Sequence, residues 1–300
     1  EGHLPAAVVS GSSNFARRMV GLNPPGGHFL HVLAFDLARG PNGDWRILAD
    51  RVRLPVGIGY ALENRLAISR ATGGLLAEVG ARPQAQFFSA MRRGIAASCE
   101  RTDPRIGLLT PGRFNQSYPE QAHLARQLGF SLVEGRDLTV RNDRLYVRTI
   151  AGLKRIDALW RWISTRDIDP LNFDARSRIG VPSLISAAAQ GLVVANWPGA
   201  GVVESRAMPA FLPSLAQVVL GGPLKLPNAA TWWCGGEAER DHVLANLDQL
   251  VISSAFRRPV AGLADGHTRA GASLSPGQRE AIVEGMTQRP MDYIAQEIVK

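Results

Sequence analysis

The clearest patterning lies in residues 105–134, where the period of the apolar positions changes twice. Ile106-Gly-Leu-Leu-Thr110 is a short apolar run that predicts a buried strand, and Pro111-Gly112 turns the chain. Ser117 and Glu120 have capping-box spacing, Pro119 falls in the first turn, and Gly129 follows the last apolar residue, so a helix is expected from about 119 to 128. Residues 130–133 resume a strand, which makes a βαβ unit of about the usual ~30 residues. Residues 138–141 and 145–148, joined by Asn142-Asp143-Arg144, predict a hairpin.

Further strands are expected at 28–37, 45–52, 157–162, 192–196, 251–252 and 293–299. Helices are expected near 60–70 and 85–98, after Pro182 up to Gly191, from Ser205 to Gly221, at 239–250, and after a cap at Ser275 to Gln278. Residues 1–27 are small and polar enough to dress the surface. The class is mixed α/β (α+β), with both hairpins and crossovers.

Composition narrows the picture only modestly. Three hundred residues with 45% hydrophobic positions suffice for one large domain or two ordinary ones. The net charge is +8, carried almost entirely by arginine, since only Lys154, Lys225 and Lys300 are lysines. Arginine-rich, Ala/Gly/Pro-rich composition follows from codon bias alone, and no basic–aromatic interleaved motif stands out, so a nucleic-acid partner is not expected. Cys99 and Cys234 are too few for a disulfide framework or a cysteine zinc site and fit a reducing cytoplasm. No apolar run reaches the ~18 residues that span a bilayer. The chain begins at Glu1 and stops at Lys300 within an apparent strand, as a segment of a longer protein would.

Most standard signatures are missing. No glycine-rich loop leads into Lys-Ser or Lys-Thr, and Gly57-x-Gly59 and Gly199-x-Gly201 lack a third glycine. His28-x-x-His31 sits on an expected strand, where that spacing points the rings to opposite faces. Trp232-Trp233-Cys234 reads as an aromatic core strand in preference to a catalytic thiol, because no partnered histidine is evident. Two polar clusters remain. Residues 110–120 lie where a strand hands over to a helix, whose N-terminal amides favour an anion. Glu134-Gly-Arg-Asp137 closes the next strand, on the side of an α/β sheet where ligands collect. Either cluster serves a ligand, or Ser117, Glu120 and Asp137 only cap and turn the backbone.

At these residues a resemblance becomes specific. Thr110-Pro-Gly-x-x-Asn115-x-x-Tyr118-x-Glu120, Leu132-Val-Glu-Gly-Arg-Asp-Leu-Thr139, Asp169-Pro170, Gly180-Val-Pro182, Val194-Ala-Asn196, Phe211-Leu-Pro213 and Thr231-Trp-Trp-Cys-Gly235 resemble the circularly permuted ATP-grasp family related to glutathionylspermidine synthetase. Upstream, Asp36-Leu-Ala-Arg-Gly40, Leu48-Ala-Asp50 and Gly59-Tyr-Ala-Leu-Glu-Asn-Arg65 match as well.

The resemblance implies a circularly permuted ATP-grasp architecture with a βαβ substrate-side domain. It implies ATP and Mg2+ as cofactors, ligation of a carboxylate to an amine or peptide substrate through an acyl phosphate, and further domains in a longer chain. It divides the chain into an N-terminal surface segment (1–27), the metal-ligand strands (28–100), the βαβ substrate side (101–235) and the start of the nucleotide-clamping lobe (236–300). Carried over residue by residue, Asp36 would hold magnesium, Arg161 would neutralise phosphate, Asn115 and Glu120 would position substrate, and Gln296, Glu297 and Asn196 would serve the nucleotide.

The departures are as specific as the matches. Relatives carry Glu-x-Asn where this chain has Ala49-Asp50-Arg51, and strand alternation puts Ala49 and Arg51 on the ligand-bearing face. Relatives carry Val-Ile-Lys where this chain has Val251-Ile-Ser253. The expectation is therefore a degenerate metal and ATP site, the alternative being a non-catalytic binding or scaffold module that keeps the fold.

Overall fold

The computed structural model describes residues 2–299. In chain order they form α1 (Ala6–Ser10), β1 (Ala34–Arg39), β2 (Trp45–Arg51), α2 (Ile58–Thr72), α3 (Leu75–Glu78), α4 (Ala85–Ala97), β3 (Ile106–Thr110) and α5 (Tyr118–Leu128). There follow β4 (Ser131–Glu134), β5 (Leu138–Arg141), β6 (Arg144–Thr149), β7 (Gly152–Ile156), β8 (Ala158–Arg161), α6 (Leu184–Ala189), β9 (Val193–Ala195) and α7 (Leu212–Leu220). The remainder is β10 (Thr231–Trp233), α8 (Glu237–Ala245), β11 (Leu250–Ser254), β12 (Arg269–Ala270), α9 (Pro276–Gln288) and β13 (Tyr293–Glu297). Among the described residues, no helix is long and apolar enough to cross a membrane.

Two compact units emerge. One takes residues 16–33 and 52–200; the other takes residues 2–15, 34–51 and 201–299.

The first unit is built on a parallel sheet of order β4-β3-β8-β9, with α5 crossing from β3 to β4. Every residue of β3, β8 and β9 is buried, as expected for strands covered on both faces. Leu109 and Leu159 face one apolar cluster, and Leu108 and Trp160 the other. Beside it lies an antiparallel sheet, β5-β6-β7. Its first turn is set by Asn142 and Asp143, both at positive φ (48° and 56°), the left-handed pair that matches the twist of a two-residue hairpin. The sheet's third strand, β7, was not expected; its sequence, Gly-Leu-Lys-Arg-Ile, shows little alternation.

The second unit holds an antiparallel sheet of order β10-β13-β11-β12 and the β1–β2 hairpin. Ile252 and Tyr293 face a cluster with Val243, Leu247, Ile282 and Met286, while Ile294 and Trp233 face a cluster with Val8, Met208 and Phe256. Backbone bonds tie the hairpin in: Ile47 donates to the Pro227 carbonyl (2.9 Å) and accepts from the Ala229 amide (2.8 Å).

Four expectations are corrected. Residues 28–33 are not strand, because the amides of His31 and Val32 donate to the Asn196 side chain instead of a ladder. The helix expected from Ser205 begins at Leu212, since the Ser205 hydroxyl donates to the Ala255 carbonyl and accepts from the Ala207 amide. The segment up to residue 27 does more than dress the surface: Val8 and Met19 are buried. The helix expected at 239–250 ends at Ala245, with a separate turn of 3-10 helix at Leu247–Gln249. By contrast, the strand–helix–strand–hairpin expected over 105–140 is present, and the box at Ser275 and Gln278 caps α9 with both reciprocal bonds.

Candidate functional site

The site residues expected from sequence fall into two groups. Asp36, Gln296 and Glu297 line one cavity in the second unit, whereas Asn115, Glu120, Arg161 and Asn196 belong to the first.

The cavity has a volume of about 380 Å³ and lies against the face of the β11–β13 pair that presents Val251, Ser253, Ile294 and Gln296. Register explains the hairpin's contribution. Asp36 pairs with Ala49 and Ala34 with Arg51, so Asp36, Ala49 and Arg51 share a face, as alternation predicts. Arg51 Nη2 and Nε donate to Asp36 Oδ2 at 2.5 and 3.1 Å. That bond raises the guanidinium's pKa further, with Glu204 adding to the field.

Asp50 also lines the cavity, and burial, reinforced by Glu204, raises its carboxyl above the ordinary range. Arg206 is pulled the other way, by burial and by the neighbouring guanidinia of Arg257 and Arg51; its Nη1 donates to the Gly266 carbonyl at 3.0 Å. The Ser253 hydroxyl is 2.7 Å from that of Thr268. Gln296 donates to the Leu48 carbonyl and to Thr231 Oγ1, and Glu297 accepts from the Ala230 amide. Sequence reasoning missed Glu204, Arg206 and Thr268 as cavity residues; none lies in a patterned element that would have betrayed it.

In the first unit, the carboxyl ends of the parallel strands gather Thr110, Glu134, Arg161 and Asn196. The register aligns Thr110 with Glu134, Leu109 with Arg161 and Trp160 with Ala195. Such an edge is where ligands bind in open α/β sheets. Here much of its polarity is committed to backbone. Asn196 Oδ1 accepts from the His31 and Val32 amides (2.7 and 3.0 Å), and its Nδ2 donates to the Val32 and Val52 carbonyls (2.5 and 2.6 Å). Arg161, buried, donates to the Asn196 and Ile163 carbonyls at 2.7 and 2.8 Å.

Buried Glu120 accepts from the Gly57 and Gly59 amides (2.7 and 3.0 Å), so its carboxylate meets the positive end of α2. A Cβ at position 59 would lie 2.6 Å from the Glu120 side chain, so glycine is needed for that approach. The Ser117 side chain makes no capping bond. Asn115 Oδ1 accepts from the Ser117 amide at 2.9 Å, an Asx turn that leads the chain into the helix. Asp137 closes a capping box with Glu134, the turn-forming alternative for that cluster.

The arginines at or beside these strand ends do not share a site: Arg161 is buried on carbonyls, Arg136 is exposed and paired with Glu134, and Arg113 lies over exposed Phe114. One further expectation changes. His28 and His31, freed from a strand, approach edge to face at 6.3 Å. Among the described residues, no three His, Cys, Asp or Glu side chains are arranged to hold a metal. Cys234 is buried, which pushes its thiol up to about 12, and the adjoining Trp232 ring stacks on His242.

With this geometry in place, comparison with known proteins identifies the family. The chain belongs to the circularly permuted ATP-grasp type 2 family, whose family model matches residues 1–300. It is 34% identical over 302 residues to an uncharacterized protein of Synechocystis sp., covering 100% of this chain and 62% of that one. It is 35% identical over 301 residues to an uncharacterized protein of Mycobacterium tuberculosis, covering 99% of this chain but 33% of that relative. The chain thus spans between one third and about three fifths of these relatives. Among solved structures, a glutathione synthetase-like effector from Globodera pallida, in apo form, aligns with a TM-score of 0.57. That alignment covers 97% of this chain and 66% of the effector at 9% identity, a likeness of fold.

Proposed function

We propose that this chain is a degenerate ATP-grasp module: a cytoplasmic descendant of a carboxylate–amine ligase that serves as a non-catalytic binding module within a longer protein. The observation that carries the reading is the Arg51–Asp36 ion pair on the cavity wall. Asp36 is the carboxylate that, by resemblance, would hold magnesium, and its charge is already met by a guanidinium.

The residues present do not fit Mg2+ and ATP. A dication placed at Asp36 would face Arg51 at close range, where each pair of unit charges costs about 4 kcal/mol at an effective dielectric of ~20 and a separation of ~4 Å. A dication doubles that to about 8 kcal/mol, an upper figure for side chains this exposed. Ala49 offers no oxygen from its side chain. Ser253, in the place of the clamping lysine, brings a hydroxyl bonded to Thr268 and no positive charge for a phosphate. Phosphoryl transfer draws on electrostatic stabilisation of charge spread over phosphate oxygens, and these substitutions remove its main contributors.

Calorimetric titration with ATP and magnesium tests this, beside a variant carrying Ala49→Glu, Arg51→Asn and Ser253→Lys. Binding is expected only in the variant. Micromolar, magnesium-dependent binding by the unaltered protein, or ADP release with any carboxylate and amine pair, would overturn the proposal.

A further inference from the structure

The outer face of the β5-β6-β7 sheet carries a feature the ligase-like fold does not use. Leu138, Leu145 and Ile156 turn inward to the core, with Val140 and Val147 packed against it. The opposite face therefore presents Thr139, Arg141, Arg144, Tyr146, Arg148 and Arg155, as the register Thr139–Tyr146, Arg141–Arg144 and Tyr146–Arg155 requires. Tyr146 is half-buried in the middle of four arginines. Along β6, Arg144, Tyr146 and Arg148 succeed one another on this face in steps of about 6.8 Å, twice the strand rise. That is the scale on which phosphates succeed one another in an extended strand of nucleic acid.

The charge is only partly balanced within the chain. Glu100 holds Arg144 and Arg155 (3.3 and 3.1 Å), and Asp157 holds Arg155 and Arg101 (3.1 and 3.2 Å). Arg141 and Arg148 have no carboxylate within ion-pair reach among the described residues; Arg148 donates to the Arg136 carbonyl. Arg141 and Arg144 stand directly opposite each other next to the turn, a like-charge placement that weakens a sheet. What the fold gains there comes from Arg144, whose Nη1 donates to Glu100 and to the Gln190 carbonyl (3.3 and 2.9 Å). Alternation along β6 thus sets Arg144, Tyr146 and Arg148 on one face, with Leu145 and Val147 turned to the core.

We propose that this face binds single-stranded nucleic acid: Arg141, Arg144 and Arg148 contact phosphates while a base stacks on Tyr146. An aromatic ring flanked by arginines fits a base with its phosphates better than an acidic peptide, which offers charge but no flat face for the ring.

Fluorescence anisotropy tests the proposal with labelled oligothymidylate and oligouridylate of about twelve nucleotides, and with poly-L-glutamate as a second polyanion. With three phosphate contacts, affinity should fall about twentyfold between roughly 50 and 200 mM salt. Tyr146→Ala should weaken oligonucleotide binding roughly tenfold, and Tyr146→Phe should not. Arg141→Gln with Arg148→Gln should weaken it further and flatten the salt dependence. Absence of binding at the lower salt, or indifference to Tyr146→Ala, overturns the proposal. Tighter binding of poly-L-glutamate, unaffected by Tyr146→Ala, overturns it in favour of an acidic protein partner.

Discussion

Replacing Asn196 with alanine separates a residue that holds the fold from one that holds a ligand. Its amide joins segments far apart in sequence through four bonds: two amide donors, at His31 and Val32, and two carbonyl acceptors, at Val32 and Val52. Val32 is buried, so alanine would leave its amide and its carbonyl without the partner they have, at about 1–2 kcal/mol each. The expected cost is about 2–4 kcal/mol, in the upper part of what a single substitution produces. Urea unfolding measures the total, and hydrogen exchange resolved to the amides of residues 31 and 32 measures it locally. Both amides should exchange at least tenfold faster (~1.4 kcal/mol) in the variant.

Asn196→Asp sharpens the test, because it keeps the acceptor and sets a second oxygen against two carbonyls. A carboxyl so placed holds its proton above the ordinary range, so the variant should be least stable near neutral pH and recover in acid. If Asn196→Ala loses under about 1 kcal/mol and exchange at 31 and 32 is unchanged, the structural role assigned to Asn196 is wrong.

Three more outcomes are expected. Burial and Glu204 raise the Asp50 pKa above 3.8, so its contribution to stability is intact below 3.8 and is lost as pH rises through the folded value; Asp50→Asn should gain stability toward neutral pH, and equal midpoints in urea at both ends would refute this. Burial pushes Cys99 up to about 11 and Cys234 to about 12, so neither should react quickly with an aromatic disulfide reagent near pH 8 until denaturant is added, and a fast native thiol would contradict it. Ser117→Ala should be close to neutral and Asn115→Ala should cost about 1 kcal/mol in thermal unfolding, the reverse order falsifying the turn assigned to Asn115.

What could be read in advance followed the range of the interactions involved. The βαβ unit at 106–134 was legible because its signals are local: an apolar run, a proline in the first turn, a glycine at the stop. The shared face of Asp36, Ala49 and Arg51 was legible because strand alternation is a local rule, and it survived a bulge between Asp36 and Leu37. Residues 28–33 and the start of α7 were misread because distant groups decide them. The Asn196 side chain takes the amides at 31 and 32, and the Ala255 carbonyl takes the hydroxyl of Ser205. Glu204 and Arg206 flank the misread start of α7, where the chain is in 3-10 turns and not the expected helix, so helical periodicity could not point them at the cavity.

The second unit is assembled from three stretches of chain, and this bears on how the protein is made. The β1–β2 hairpin leaves the ribosome well before the backbone it bonds to, at Pro227 and Ala229, and the Gln296 side chain that reaches Leu48. At about 5–20 residues per second the hairpin waits roughly ten to fifty seconds, while most of the first unit, residues 52–200, emerges and can close in the meantime. During that interval Leu37 and Trp45, exposed even in the finished fold, and the unpaired backbone of β2 are open to other nascent chains. A premature stop after residue 200 would therefore leave a folded first unit carrying a stranded hairpin, a product for chaperones and proteases to clear.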